Sequence, residues 1–225
     1  MGALMRPMRR GICLAVVGVG LLFGCDAPTL ARPGAAYDPT SLSSGQLYRW
    51  ASGRTIRVWV VPPAAGTPVD LTGAVAQAIV RWNDLPLFKE FRLVRAESIG
   101  EAEVLVADRS SPLPFQPAAG CPFEPRGAPG VTYFCPSGGN AVRLALASGA
   151  SSRVSVVVSL QLTGVSSQAT LQALVTHEFG HVLGIGGHSP MATDVMFGTP
   201  TVTEPSGRDA QTLQFVLGER PRVLL

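Results

Sequence analysis

Residues 176–188 read Thr176-His177-Glu178-Phe179-Gly180-His181-Val182-Leu183-Gly184-Ile185-Gly186-Gly187-His188, and Asp194-Val195-Met196-Phe197 follows shortly after. His177 and His181 stand four positions apart, which on an α-helix puts both imidazoles on one face, able to reach a single metal ion. Glu178 projects beside them and offers a carboxylate where a metal-polarised water would give up a proton. The chain of 225 residues contains three histidines, and the third is His188. A solvated histidine pair with a surface glutamate on an ordinary helix would not account for that third imidazole. Three neutral histidines leave the fourth position of a tetrahedral zinc ion open to water, the arrangement of a catalytic rather than a closed structural site.

Outward from this motif, Leu171, Leu174, Val175 and Val182 continue an apolar stripe at helical spacing. A helix is therefore predicted from a cap at Ser166 or Ser167 to Gly184, a residue suited to a left-handed terminus. Upstream, Arg153–Ser159 and Val142–Leu146 read as strands, as do the shorter Ala102–Ala107 and Phe91–Val94. Arg54–Val61, stopped by Pro62-Pro63, is another. Asp70–Leu85 reads as a helix, with Leu71, Val75, Ala78, Ile79 and Trp82 at intervals of three and four, Asp70 as its cap and Pro86 as its limit. Trp59 and Trp82 are expected in the core. Gly207–Leu217 reads as the last helix, with Leu213, Val216 and Leu217 on its core face, and the Pro- and Gly-rich chain from Arg109 to about Asn140 as a long surface loop. Strand, helix, strands, helix, loop, helix predicts one α+β domain.

A hydrophobic content of 46% with 15% charged residues fits a globular domain and excludes a disordered or fibrous chain. The formal charge of +3 suggests an acidic partner until its distribution is considered. Arg6, Arg9 and Arg10 precede the apolar run Ile12–Phe23, which is about half the ~20 residues of a membrane-spanning helix and reads as the core of a secretory signal over residues 1–24. Loss of those three among 18 basic residues leaves as many as the 15 acidic ones, and nucleic-acid binding loses its support. Leu22-Phe23-Gly24-Cys25 resembles the lipobox of bacterial lipoproteins, so Cys25 is the expected lipidation site and the protein an extracytoplasmic, membrane-anchored lipoprotein. An ordinary signal cut near Gly24 would make it secreted instead. Residues 25–53, rich in Pro, Ala, Ser and Gly, read as a flexible tether, which leaves 54–225 as the folded domain. Of four cysteines, Cys13 leaves with the signal and Cys25 takes lipid, so Cys121 and Cys135 remain to form a disulfide. Closing that loop of ~15 residues would stabilise by about 3 kcal/mol in the chain-entropy model.

The run from His177 to Met196 resembles the metzincin clan of zinc endopeptidases, and His-Glu-Phe-Gly-His followed by His-Ser is most similar to matrixins. The resemblance implies one catalytic Zn2+ held by His177, His181 and His188, with Glu178 as general base and acid. It also implies that Gly184 ends the helix and that Met196, rather than Met191, lies in a turn beneath the metal. The implied fold is a twisted, mostly parallel five-stranded sheet with two packed helices and a small C-terminal subdomain carrying one helix. Ala102–Ala107 would be an inner strand. Ala141–Ala147 would be the edge strand that binds an extended peptide by strand addition, and Phe197–Glu204 the wall of the pocket taking the side chain after the scissile bond.

Here three residues, Ile185-Gly186-Gly187, separate Gly184 from His188 where the family pattern has two. Glycine's conformational freedom is expected to absorb the extra residue, with Asp194 as the alternative ligand. Phe197 stands where a tyrosine is common in relatives, so polarisation of the substrate would fall to zinc. Structural Ca2+ is common among relatives, but no dense acidic loop calls for it here. The expected partners are a peptide or protein substrate and, through the lipid, a membrane; a monomer is expected. The alternative is a non-catalytic zinc-containing lipoprotein that binds a protein or cell-wall partner, against which the intact Glu178 argues.

Overall fold

After a two-residue strand at Tyr48–Arg49 (β1), the chain forms Arg54–Val60 (β2), a helix at Leu71–Asn83 (α1), then Phe91–Arg95 (β3) and Val104–Asp108 (β4). Gly130–Phe134 (β5), Val142–Ala145 (β6), Ser151–Val154 (β7) and Val156–Leu160 (β8) follow, then helices at Gln168–Val182 (α2) and Gly207–Gly218 (α3) and a last strand at Val223–Leu224 (β9). The computed structural model describes residues 34–85, 90–111, 127–134, 142–145, 151–219 and 223–225. The expected signal over 1–24, the lipidated Cys25 and the Cys121–Cys135 pair lie outside the described residues. All the described residues belong to one compact unit.

Five strands form one sheet in the order β3-β2-β4-β8-β5, parallel except for the antiparallel edge strand β5. With three helices this is the α+β architecture that the element order predicts. β4 and β8 occupy the middle and are buried along their whole length, as expected of continuous aliphatic runs with both faces covered. Val104 and Val106, in register with Val156 and Val158, face the main core with α1 and α2; Leu105 and Val157 face a smaller cluster with Tyr133.

Asp70 caps α1, its carboxylate accepting from the Gly73 amide at 2.8 Å. Leu71, Ala74, Val75, Ala78, Ile79 and Trp82 are its buried stripe. The two sheet-packed helices are fastened by polar contacts as well: Trp82 Nε1 donates to the Thr176 carbonyl at 2.8 Å and Gln172 Nε2 to the Ala74 carbonyl at 3.0 Å. Trp82 is fully buried and Trp59 half-buried, both against apolar clusters.

The structure corrects three expectations. Arg153–Ser159 is not one strand: the amides of Ser155 and Val156 both donate to the Glu103 carbonyl, at 2.8 and 3.1 Å, which interrupts the ladder. β7 pairs with β6 in a separate two-stranded sheet, and β8 continues into the main one. For the same reason the edge of the main sheet is β5, within the expected surface loop, rather than Ala141–Ala147. The third correction concerns the tether over 25–53, whose second half is part of the folded body. Tyr37, Leu47, Tyr48 and Trp50 are 1–8% exposed, and Trp50 Nε1 donates to the Val182 carbonyl at 2.8 Å. Four large side chains removed from water outweigh the freedom that the small residues around them would otherwise keep. Among the described residues no helix is long and apolar enough to cross a membrane.

Candidate metal centre

Ser167 caps α2, its hydroxyl accepting from the Thr170 amide at 3.1 Å, and the helix then runs buried beneath the sheet through Glu178 to Val182. Gly180 is the point of closest approach. A Cβ there would lie 2.9 Å from Trp82 Cζ2 and 3.1 Å from Met196 Cε, so the bare backbone lets both side chains seat against the helix below the histidines. The helix ends in a Schellman motif: Gly184, left-handed at φ 105°, donates to the His181 carbonyl at 2.9 Å, and Ile185 donates to that of Gly180 at 3.0 Å.

The loop to His188 is held from outside. The Leu42 amide donates to the Gly186 carbonyl at 2.8 Å, and residues 38–43 pack so closely that a Cβ on Gly187 would overlap the Asp38 carbonyl oxygen. Neither Gly186 nor Gly187 has a positive φ. The glycines are therefore required by space rather than by the backbone freedom expected of them. After His188, the Ser189 amide donates to the Met196 carbonyl at 2.8 Å, and tight turns at Met191–Asp194 and Asp194–Phe197 bring Met196 under the helix. Met196 is fully buried against Gly180 of the helix, whereas Met191 is 48% exposed. Asp209 on α3 pins this turn, with Oδ2 accepting from the Val195 amide at 2.9 Å and Oδ1 from the Tyr37 hydroxyl at 2.7 Å. Asp194 is engaged by Ser189 and by Arg208 Nε at 2.9 Å, not by the histidines.

His177, His181 and His188 each offer a ring nitrogen, and these lie within 4.8 Å of one another, close enough to bind a metal. The tautomers of two follow from their partners. His177 Nδ1 lies 2.8 Å from the Val195 carbonyl and His181 Nδ1 2.6 Å from that of Ile185. A carbonyl only accepts, so each Nδ1 carries the proton and each Nε2 is a bare lone pair. Burial lowers the pKa of His177 to about 4, against a smaller opposite effect of the Val195 carbonyl. Burial, with the neighbouring His177, holds that of His181 well below the usual value. Both rings are neutral at pH 7, yet their Nε2 atoms stand 3.2 Å apart. Two lone pairs at that distance repel unless a cation lies between them. Zinc bound at ~2.0–2.1 Å to two nitrogens at a tetrahedral angle would set them about 3.3 Å apart, so the donor set and its spacing fit such an ion.

Glu178 is 3% exposed; burial raises its pKa to about 7, against the opposite pull of the Thr132 hydroxyl. That hydroxyl, on β5, donates to Glu178 Oε2 at 2.7 Å. Glu178 and the three histidines open onto a cleft of about 420 Å³, also lined by Gly198, Pro200 and the Tyr48–Phe134 pair. Those two rings stack at 4.1 Å between centroids and 7° between planes, and join the N-terminal segment to the edge strand.

Sequence reasoning brought together the three histidines, Glu178 and Met196, but missed Gly130, Thr132, Tyr48 and Asp209. For β5 a signal was present: Val131-Thr132-Tyr133-Phe134 is an unbroken β-branched and aromatic run. No model of a known protein family matches this chain, and no curated protein is significantly similar to it in sequence.

Proposed function

We propose that the protein is a zinc-dependent endopeptidase of the metzincin type, similar to matrixins, acting on peptides or proteins outside the cytoplasm. The observation that carries the reading is the pair of bare Nε2 atoms held 3.2 Å apart, with His188 and a buried carboxylate beside them. Imidazole donors favour zinc over magnesium or calcium, which prefer oxygen. Zinc bound by His177, His181 and His188 would supply Lewis acidity and a water acidified towards neutral pH.

The remaining roles belong to the chain. Glu178 accepts the proton of the attacking water on its carboxylate and returns it to the departing amide nitrogen. Among the described residues β5 pairs with β8 alone, and the outward main-chain groups of Gly130, Thr132 and Phe134 would align an extended peptide by strand addition. Met196 and Asp209 hold the floor of the site. Export and lipidation at Cys25 rest on the sequence of residues 1–25 and would keep the enzyme at the cell envelope.

The test is digestion of an unbiased peptide library by the zinc-loaded protein. Cleavage that a chelator stops and added zinc restores supports the reading. A folded protein with one zinc per chain and no cleavage contradicts it, and would favour a protein that only binds its partner.

A further inference from the structure

Along β5, residues two apart share a face, so Gly130, Thr132 and Phe134 look the same way while Val131 and Tyr133 pack against the smaller cluster behind the sheet. The face carrying Thr132 meets α2 at Glu178. Thr132 Oγ1 lies 2.7 Å from Glu178 Oε2 and 3.2 Å from the Glu178 main-chain carbonyl, so one hydroxyl is shared between the side chain and the backbone of the same residue. Two residues earlier, Gly130 leaves the space that the carboxylate fills. A Cβ there would overlap Glu178 Oε1 and lie 3.0 Å from its Cδ and 2.9 Å from Leu174 Cδ1. A glutamate side chain has three rotatable bonds, and here a missing methyl group and a hydroxyl, both on the edge strand, select one arrangement of it.

We propose that Thr132 is a positioning residue for Glu178: its hydroxyl, over the seat left by Gly130, holds the carboxylate in the orientation from which it moves the proton. The inference rests on the peptidase reading for its kinetic consequence but not for the contact itself. A general base works only within hydrogen-bond reach of its proton, and a displacement of about 1 Å can cost on the order of 100-fold in rate.

Thr132→Val keeps the shape and removes the donor, Thr132→Ser keeps the donor, and Thr132→Ala reads the same loss if valine crowds the helix. With zinc content unchanged, kcat should fall about 10- to 100-fold in the valine and alanine variants with KM within about two-fold of wild type, and serine should recover most of the rate. A second readout needs neither metal nor activity: the side-chain carboxyl carbon-13 resonance of Glu178 in the metal-free protein should move in Thr132→Val and return in Thr132→Ser. Wild-type kcat in the valine variant, or a loss that serine does not recover, overturns the proposal, the latter because the strand's packing and not the hydroxyl would then be responsible. If the wild-type protein cleaves nothing, the peptidase reading fails on its own, and an unmoved Glu178 resonance still overturns the contact while a shifted one sustains it.

Discussion

Replacing Gly187 by alanine adds one methyl group where the third-histidine loop meets the N-terminal segment. The new carbon would overlap the Asp38 carbonyl oxygen, 2.8 Å from Ser41 Oγ and 3.2 Å from the Asp38 carbonyl carbon. Favourable contacts between carbons begin near ~3.5 Å. The serine can rotate away, but the carbonyl can retreat only if residues 38–43 move. Those residues are tied down by the Leu42 amide on the Gly186 carbonyl at 2.8 Å and by a turn in which the Ser43 amide donates to the Thr40 carbonyl at 3.0 Å. Overpacking of this kind costs about 1–3 kcal/mol, which for a domain of this size lowers Tm by roughly 3–10 °C. His188 is the next residue, so the displacement reaches the third ligand, and zinc affinity should fall about 10- to 100-fold, as when a supporting partner of a metal ligand is lost. Gly186→Ala is the milder control, since its nearest contact would be the Ser43 hydroxyl at 2.9 Å. Calorimetric melting and competition for zinc with a chromophoric chelator measure the two effects. A Gly187→Ala protein that melts and binds zinc as the wild type does would refute the close packing of residues 38–43 on this loop.

Other consequences can be checked separately. His188→Ala should weaken zinc binding by more than the roughly 10- to 100-fold typical of losing a supporting partner, whereas Asp194→Ala should retain all three ligands; the same chelator competition decides between them. Asp194 itself should shape stability in acid. Burial works against its charge, but the hydroxyls of Ser189 and Ser206 and the Arg208 guanidinium more than offset this and hold its pKa below the usual value. A carboxyl with a depressed folded pKa stabilises the native state above its unfolded pKa, and that contribution disappears as pH falls through the folded value. Urea denaturation from neutral to acid pH should therefore show a steeper loss in the wild type than in Asp194→Asn, and equal slopes would rule out the assignment. Trp50→Phe should cost about 1–3 kcal/mol in urea denaturation, because the Val182 carbonyl at the end of α2 loses its buried donor; an unchanged midpoint would mean that water replaces the indole.

The convergence of the histidines was legible because the helix imposes its own geometry: a spacing of four positions from His177 to His181 fixes a shared face before any tertiary contact is known. Gly184 was legible for a similar reason, since a Schellman terminus is local. The N-terminal segment was not. Tyr37, Leu47, Tyr48 and Trp50 follow neither a period of two nor one of 3.6, and irregular chain that is buried by what it packs against leaves no periodic trace. β5 was obscured in another way: its five residues sit among prolines and glycines that read as loop, and what makes them a strand is β8 beside them, 22 or more residues later in the chain. The extra residue before His188 was visible, but its accommodation was not, because the partner of Gly186 and Gly187 is a segment about 145 residues upstream that sequence patterning had read as tether.

The decisive comparison is peptide cleavage by the wild type and by Glu178→Gln, both carrying one zinc per chain. The geometry predicts that the glutamine variant binds zinc as tightly, because Glu178 is not one of the three converging ring nitrogens, yet cleaves at least about 100-fold more slowly for want of a proton acceptor. Equal cleavage by the two proteins would contradict the role given to Glu178, and equal inactivity at full zinc occupancy would contradict the peptidase itself.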